Sequence, residues 1–155
     1  MKKQMDALAY YKLNRLHLHL TDAAGWRLEI KKYPRLTEFA AWREFPTWKE
    51  WWNNGRRYEE KGSKECSRRL LYSRGYPRTG GLRSESRFIT VIPEIEMPAH
   101  SEEVLTAYPE LSCTHEPYKQ ADFCVGNEKT FEFLENVLTE VMELIPVRIY
   151  SYRRR

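Results

Sequence analysis

The feature that most constrains this chain is a strict alternation over residues 16–20, which read Leu-His-Leu-His-Leu. A period of two predicts a β-strand with its leucines on one face and its histidines on the other. Asp22 and a turn at Gly25 follow and end the strand. The chain must therefore bury an apolar strand face while two imidazoles lie in a polar environment.

A second strand is predicted over residues 88–95, where apolar and β-branched residues run almost without a break. Such a run is typical of a strand buried on both faces, as in a parallel sheet. Helices are predicted over residues 1–12 and 127–145. The second of these has an apolar stripe of Phe131, Leu134, Leu138, Val141, Met142 and Ile145. This order indicates an α/β fold built from βα repeats.

The segment between the two strands does not fit that fold. Two parallel strands need a crossover between them, usually a helix. Residues 63–86 show no helical period and are rich in Arg and Gly. A structureless linker of that length in a compact domain argues against the assignment or against the sequence itself.

Four polar residues follow or close the two strands: Asp22, Glu94, Glu96 and His100. Parallel strands bring their carboxyl ends together, so these side chains are predicted to form one cluster. Carboxylates and imidazoles that are neighbours shift one another's pKa, which makes the cluster a candidate for acid–base chemistry.

Simpler roles remain open for each residue. His17 and His19 are also interpretable as hydrogen-bonded interior histidines. They are a possible metal-binding pair, but no third ligand has a diagnostic spacing, so we expect no metal. Glu94 and Glu96 are expected to occupy different environments, one of them paired with a Lys or Arg.

Charge and cysteine content limit the partners and the compartment. The net charge is +4, but residues 66–86 and 147–155 hold nine of the 26 basic residues and one of the 22 acidic ones. The rest of the chain is acidic, so we expect no nucleic-acid partner.

No apolar run is long enough to span a membrane, and no signal peptide is visible. Cys113 and Cys124 are either a disulfide of an oxidising compartment or two free thiols.

A tryptophan-rich stretch supports an alternative function, a non-catalytic carbohydrate-binding remnant. Its residues are Trp42, Trp48, Trp51 and Trp52. On this interpretation, Trp51→Ala should abolish glycan capture. A third interpretation, a basic nucleic-acid binder, depends only on the two Arg-rich segments.

Several blocks of sequence together resemble the catalytic domain of family 20 β-N-acetylhexosaminidases. Residues 11–22 (YKLNRLHLHLTD), 25–27 (GWR) and 31–34 (KKYP) resemble the second barrel strand and the loop after it. Residues 92–100 (IPEIEMPAH) resemble the third strand, and residues 108–111 and 126–131 the loop and helix that follow. The resemblance implies a partial (β/α)8 TIM barrel, about strands 2 and 3 with flanking helices.

The resemblance also implies a chemistry. The family removes terminal non-reducing N-acetylglucosamine or N-acetylgalactosamine from glycans, and the acetamido oxygen of the sugar attacks the anomeric carbon. An Asp orients the acetamide and the adjacent Glu is the general acid; both lie in an HxGGDE-like segment on the fourth strand. No cofactor is implied. Asp22 and His100 match the family's Asp and His that hydrogen-bond toward that Glu. Substrate contact is expected from Glu96, His19, His17 and Trp26, with packing as the alternative for Trp26.

The chain departs from the family pattern in three ways. Ala23 stands where many members have Asp, no Asp-Glu pair follows the last helix, and the sugar-binding Arg of the first strand is missing. We therefore expect the chain alone to be unstable or to aggregate, and not to turn over substrate. No feature indicates an oligomeric state. The family's complete proteins are expected to be periplasmic, secreted or lysosomal.

A reading-frame hypothesis accounts for both Arg-rich segments. Permitted codons for residues 68–85, read one base later, encode GGYYTQEDIRELVAYAQ, an amphipathic helix with an N-terminal Thr cap. Residues 147–155 treated likewise encode FGYIHIGG, followed by Asp and an acidic residue if the stop codon is TGA. We therefore assign residues 1–146 to a partial catalytic barrel with residues 66–86 frameshifted, and residues 147–155 to a frameshifted tail.

Overall fold

The computed structural model describes residues 2–63, 67–68, 89–145 and 151–153. Its helices and strands follow in chain order: α1 Lys2–Tyr10, β1 Arg15–His19, α2 Arg35–Glu38, β2 Trp42–Arg43, α3 Trp48–Asn53, β3 Ser67–Arg68, β4 Thr90–Glu96, α4 Glu102–Ala107, a 3-10 turn Pro109–Leu111, α5 Glu128–Leu144 and β5 Ser151–Arg153. Both predicted strands and both predicted helices are present. None of the helices in these ranges has the length and apolar character needed to cross a bilayer.

The central sheet has the order β1-β4-β5. β1 pairs in parallel with β4, with His17 opposite Ile92 and His19 opposite Glu94. β5 pairs in parallel with the other side of β4, a third strand that the sequence pattern did not predict. A separate antiparallel pair joins β2 to β3. The sheet is therefore open and parallel, with the unpaired edge of β1 at one side of the described part.

One face of the sheet builds the core. Leu20, Val91 and Ile95 are buried in a single apolar cluster with Phe133 and Val137 of α5. Alternation along each strand puts these residues on one face and the histidines of β1 on the other. The expected separation of leucines from histidines is confirmed: Leu16 and Leu18 are half-buried, and His17 and His19 are exposed.

Helix α5 begins where predicted, with Asn127 as its N-cap. Its buried face agrees with the predicted stripe in part, since Val141 and Ile145 are buried. Phe131 and Met142 were expected in the core, and both are 46% exposed. The buried row instead contains Phe133 and Val137. The two neighbouring rows of this helix are both rich in apolar residues, so periodicity alone could not decide which row faces the sheet.

The predicted lack of a crossover helix falls mostly outside the described residues. Residues 64–66 and 69–88 are not described, and of the Arg-rich stretch only β3 is. The segment before it, residues 40–62, folds back onto the loop after β1, where Trp26 N–H donates to the Ala40 carbonyl at 3.0 Å.

Candidate active site

The polar ends of β1 and β4 meet, as the sequence predicted. The parallel register puts His19 beside Glu94, and Asp22 follows in the next loop. Across the strand ends, Asp22, Glu96 and His100 approach one another with His19 among them. Because β1 and β4 are parallel, both strands end at the same edge of the sheet, and the residues that follow them converge there.

Glu96 is the centre of the cluster. Its buried side chain accepts a hydrogen bond through Oε1 from His19 Nε2 at 2.8 Å. His100 Nδ1 lies 3.8 Å from the same oxygen. The backbone N–H of Glu96 donates to Thr21 Oγ1 at 2.7 Å, which ties the end of β4 to the end of β1. Glu96 is thus held on a rigid strand and linked to both imidazoles.

Asp22, in the loop after β1, faces the imidazoles of His19 and His100. Its Oδ2 lies 3.7 Å from His19 Nε2, and its Oδ1 lies 3.9 Å from His100 Nδ1. His100 has a left-handed backbone with φ of +54°, an unfavourable conformation for a residue with a Cβ and one that concentrates at functional sites. Its Nδ1 is buried and, within the described residues, makes no hydrogen bond. His100 Nδ1 therefore lies near two carboxylates without a hydrogen bond among the described residues.

The expectation that Glu94 and Glu96 occupy different environments is wrong. His19 Nε2 lies 3.6 Å from Glu94 Oε1 as well as contacting Glu96, and His17 Nε2 pairs with Glu94 Oε2. Residues two apart on a strand point to the same face, so both carboxylates meet the histidine face of β1. All four side chains belong to one site.

Trp26 is placed in the core. Its indole is buried in the apolar cluster, and its Nε1 donates to the Leu28 carbonyl at 2.6 Å. This position agrees with packing, the alternative to substrate contact. The turn before it requires Gly25, whose φ is +129° and whose missing Cβ would lie 2.6 Å from Arg27 Nη1.

Sequence reasoning missed the buried acid Glu103 on α4. Burial raises the pKa of Glu103 to about 8; its own backbone N–H opposes the rise and the charge of Asp22 adds to it. Its Oε2 has no hydrogen-bond partner in the part of the chain that is described. Burial also raises the pKa of Tyr58 well above its usual value, and Glu103 adds to that rise. Two acids in the first turn of a helix normally indicate a solvated helix end. The sequence pattern therefore did not predict that Glu103 is buried.

The cluster also contains the atoms that a divalent metal would use. His19, Asp22 and Glu96 bring one ligand atom each to within 4.8 Å of one another. Imidazole and carboxylate ligands suit zinc. The hydrogen bond from His19 to Glu96 already satisfies two of these groups.

The sequence left two alternatives for Cys113 and Cys124, a disulfide or two free thiols, and the structure has the disulfide. Cys113 and Cys124 are bonded, and their Cα atoms lie 5.0 Å apart. The bond closes the loop that connects the short turn after α4 to α5. It lies outside the polar cluster and contributes to stability rather than to the site.

Comparison with known proteins identifies the family. The sequence model of glycosyl hydrolase family 20, catalytic domain, matches residues 1–152. This match covers nearly the whole chain, and the chain belongs to that family.

Individual relatives agree with this assignment. A β-hexosaminidase of Porphyromonas gingivalis is 38% identical over 154 residues, which cover 94% of this chain and 18% of the relative. The crystal structure of a β-N-acetylhexosaminidase from Bacteroides fragilis superposes with a TM-score of 0.72 at 34% identity, covering 96% of this chain and 27% of that one. An exo-β-N-acetylglucosaminidase from Vibrio harveyi, solved with N-acetylglucosamine, has a TM-score of 0.74 at 29% identity, covering 96% and 24%. The chain thus spans less than a third of each relative.

Proposed function

We propose that this chain is the part of a β-N-acetylhexosaminidase barrel that contains its second and third strands, β1 and β4. The observation that carries the proposal is the contact of Asp22, Glu96 and His100 at the carboxyl ends of two neighbouring parallel strands. In a (β/α)8 barrel, that end of the strands builds the active site. The proposed substrates are glycans with a terminal non-reducing N-acetylglucosamine or N-acetylgalactosamine.

In the proposed mechanism, Asp22 and His100 are positioning residues for the general acid. A Glu that protonates the leaving oxygen and then activates water needs a pKa near the working pH. An imidazole beside it, itself flanked by Asp22, supplies a hydrogen bond that adjusts that pKa. Two features fit this role: His100 Nδ1 makes no hydrogen bond within the described residues, and it lies 3.9 Å from Asp22. Glu96, His19 and His17 form the wall proposed to contact the sugar.

None of the 155 residues forms an adjacent Asp-Glu pair. We propose that residues 66–86 and 147–155 are read in the wrong frame. β5 lies beside β4 and parallel to it, the sheet position a fourth barrel strand would take. This position supports the proposal, because the shifted frame encodes the strand-like segment YIHIGG at that point.

Hydrolysis of a chromogenic N-acetyl-β-glucosaminide tests the function. The 155-residue chain is expected to show no turnover, because the groups that stabilise the transition state are missing. The matched comparison is the protein made from the same gene with both frames restored and read to its natural end, which is expected to be active. This restored protein carrying His100→Ala should lose most of its activity and show a changed pH profile. Turnover by the 155-residue chain would refute the proposed role of the missing pair.

A second candidate function is a non-catalytic carbohydrate-binding remnant, and exposed indoles favour it. Trp48 is 54% exposed and Trp52 is 46% exposed. Trp42 and Trp51 are buried, so Trp51→Ala would damage the fold rather than a sugar surface. The informative substitution is therefore at Trp48.

The disulfide supports an oxidising compartment for the complete protein. Disulfides persist in secreted and periplasmic proteins and are rare in the cytosol. We therefore propose a periplasmic, secreted or lysosomal location. Mass spectrometry of the natural protein under alkylating conditions should find Cys113 and Cys124 bonded; alkylated thiols at both would contradict the proposal.

A further inference from the structure

The loop that contains Asp22 is held by a side chain from outside the loop. Within the loop, the Gly25 N–H donates to the Asp22 carbonyl at 2.7 Å. The next carbonyl, that of Ala23, accepts a hydrogen bond from the hydroxyl of Tyr58, which lies 35 residues further along the chain. The backbone beside Asp22 therefore depends on Tyr58 for one of its hydrogen bonds.

The side chain of Tyr58 has little freedom to move. It is 4% exposed, and its ring packs against those of Trp51 and Phe39, with centroids 5.6 and 6.0 Å away. Its backbone is joined to Arg43 by an antiparallel bridge. Burial holds the pKa of Tyr58 well above its usual value, so the hydroxyl remains a hydrogen-bond donor at neutral pH. A close-packed ring of this kind presents its hydroxyl at one fixed point.

Tyr58 also contacts a second loop, the disulfide-closed loop of residues 113–124. The ring of Tyr118, in this loop, stacks on that of Tyr58 with centroids 5.9 Å apart and planes 17° apart. The backbone N–H of Tyr58 donates to the Tyr118 hydroxyl at 3.3 Å. One residue thus contacts both the loop of Asp22 and the disulfide-closed loop.

The disulfide-closed loop in turn holds the segment that contains His100. The Phe123 N–H donates to the carbonyl of Pro98, two residues before His100, at 2.9 Å. The Ser101 N–H, one residue after His100, donates to the Ala121 carbonyl at 2.9 Å. Tyr58 therefore lies between the supports of Asp22 and those of His100.

We propose that Tyr58 is a positioning residue, which holds Asp22 within reach of His100. The inference rests on the proposed function, in which Asp22 flanks the imidazole that adjusts the general acid. Asp22 Oδ1 lies 3.9 Å from His100 Nδ1, and the Asp22 side chain is 45% exposed, so its position depends on the loop that contains it. A displacement of about 1 Å at such a site can cost roughly a hundredfold in rate. The buried ring of Tyr58 is not expected to touch substrate.

The test compares two Tyr→Phe substitutions in the frame-restored protein, made from the same gene with both frames restored. Tyr58→Phe keeps the ring and removes only the hydroxyl. The kcat for a chromogenic N-acetyl-β-glucosaminide should fall about tenfold with KM unchanged, the effect of one hydrogen bond that acts on the transition state. Tyr108→Phe is the matched control, because the Tyr108 hydroxyl also bonds to backbone, accepting from the Arg35 N–H at 3.1 Å and from neither loop. This variant should keep its kcat.

A second background separates positioning from a general loss of stability. In the protein that already carries Asp22→Asn, Tyr58→Phe should reduce kcat by less than about twofold, because residues that act as one unit have non-additive effects. An equal loss in both backgrounds would show that Tyr58 acts independently of Asp22, and would overturn the inference.

Hydrogen–deuterium exchange provides a readout that does not need turnover. Peptides that contain residues 20–27 should exchange faster in Tyr58→Phe, because the bond from Gly25 to the Asp22 carbonyl opens more often, whereas peptides from α5 should not change. Unchanged exchange in residues 20–27 would overturn the inference whether or not the protein is active. Faster exchange with an unchanged kcat would also overturn it and leave the proposed function in place. If the unaltered protein does not hydrolyse the substrate, the proposed function fails, and exchange in residues 20–27 decides whether Tyr58 holds the loop.

Discussion

The two faces of β4 carry opposite kinds of residue. Val91 and Ile95 point to the apolar core, whereas Glu94 and Glu96 point to the histidines of β1. Both carboxylates are buried, so burial does not distinguish the faces. The two faces differ in what they contact. One packs against apolar side chains, and the other contacts the imidazoles of β1. The comparison indicates that one face provides stability and the other provides chemistry, and substitutions on the two faces should separate these effects.

The largest effect on stability is expected from the core that packs against the apolar face. Phe133→Ala should lower the free energy of unfolding by about 3–5 kcal/mol, because it removes a fully buried ring and leaves a cavity. Urea denaturation of the frame-restored protein measures the change, because the 155-residue chain alone is expected to be unstable. Phe131→Ala, on the exposed side of the same helix, should cost less than about 1 kcal/mol. Equal losses in both variants would mean that the buried row of α5 has been misassigned.

The next largest effect on stability is expected at Glu103, a buried acid on α4 that lies on neither face of β4. Its folded pKa of about 8 lies above its ordinary value of 4.5. The proton is therefore held more tightly in the folded state, and its stabilising contribution is complete below pH 4.5 and is lost as the pH rises to about 8. The loss should be roughly 3 kcal/mol, because one pKa unit is worth about 1.4 kcal/mol and local rearrangement relieves part of the burial.

Glu103→Gln provides the control for that prediction. The amide has the same shape and does not titrate, so the variant should keep its stability between pH 4.5 and 8. Thermal melts of the frame-restored protein across this range should show a loss of stability that the same protein carrying Glu103→Gln does not show. Parallel pH curves for the two proteins would contradict the placement of Glu103.

A smaller effect is expected at the centre of the polar face. Glu96→Gln keeps an oxygen that can accept from His19 but removes the charge, so it should cost about 1–2 kcal/mol. The measurement is urea denaturation of the frame-restored protein at neutral pH. A loss as large as that of Phe133→Ala would contradict the separation of roles between the two faces.

The smallest effect on stability is expected at Asp22. Its side chain is 45% exposed, and it lies 3.7 Å from one imidazole and 3.9 Å from the other. Asp22→Asn should therefore change the free energy of unfolding by less than about 1 kcal/mol. The same substitution in the frame-restored protein should reduce hydrolysis strongly. Unimpaired hydrolysis there would remove Asp22 from the supporting role proposed for it.

The sequence predicted the parts that follow from strong local patterns. Alternation placed His17 and His19 on one face, and parallel pairing brought Asp22 to Glu96 and His100. It did not identify Glu103, because helix periodicity cannot reveal that an acid in a first turn lies under a neighbouring loop. The exposure of Phe131 was missed for a related reason: two apolar rows compete on α5, and only tertiary packing chooses between them. β5 was missed because residues 147–155 are assigned to a frameshifted tail, although the β-branched and aromatic residues before the Arg run favour a strand.

The central claim is that the chain holds the supporting residues of a hexosaminidase site and that residues 66–86 and 147–155 are encoded one base out of frame. The nucleotide sequence of the locus through the stop codon tests it most directly. The predicted result is codons at residues 68–85 and 147–155 that, read one base later, encode a capped amphipathic helix and a strand ending in Gly-Gly. Codons that encode neither segment in any frame would contradict the account.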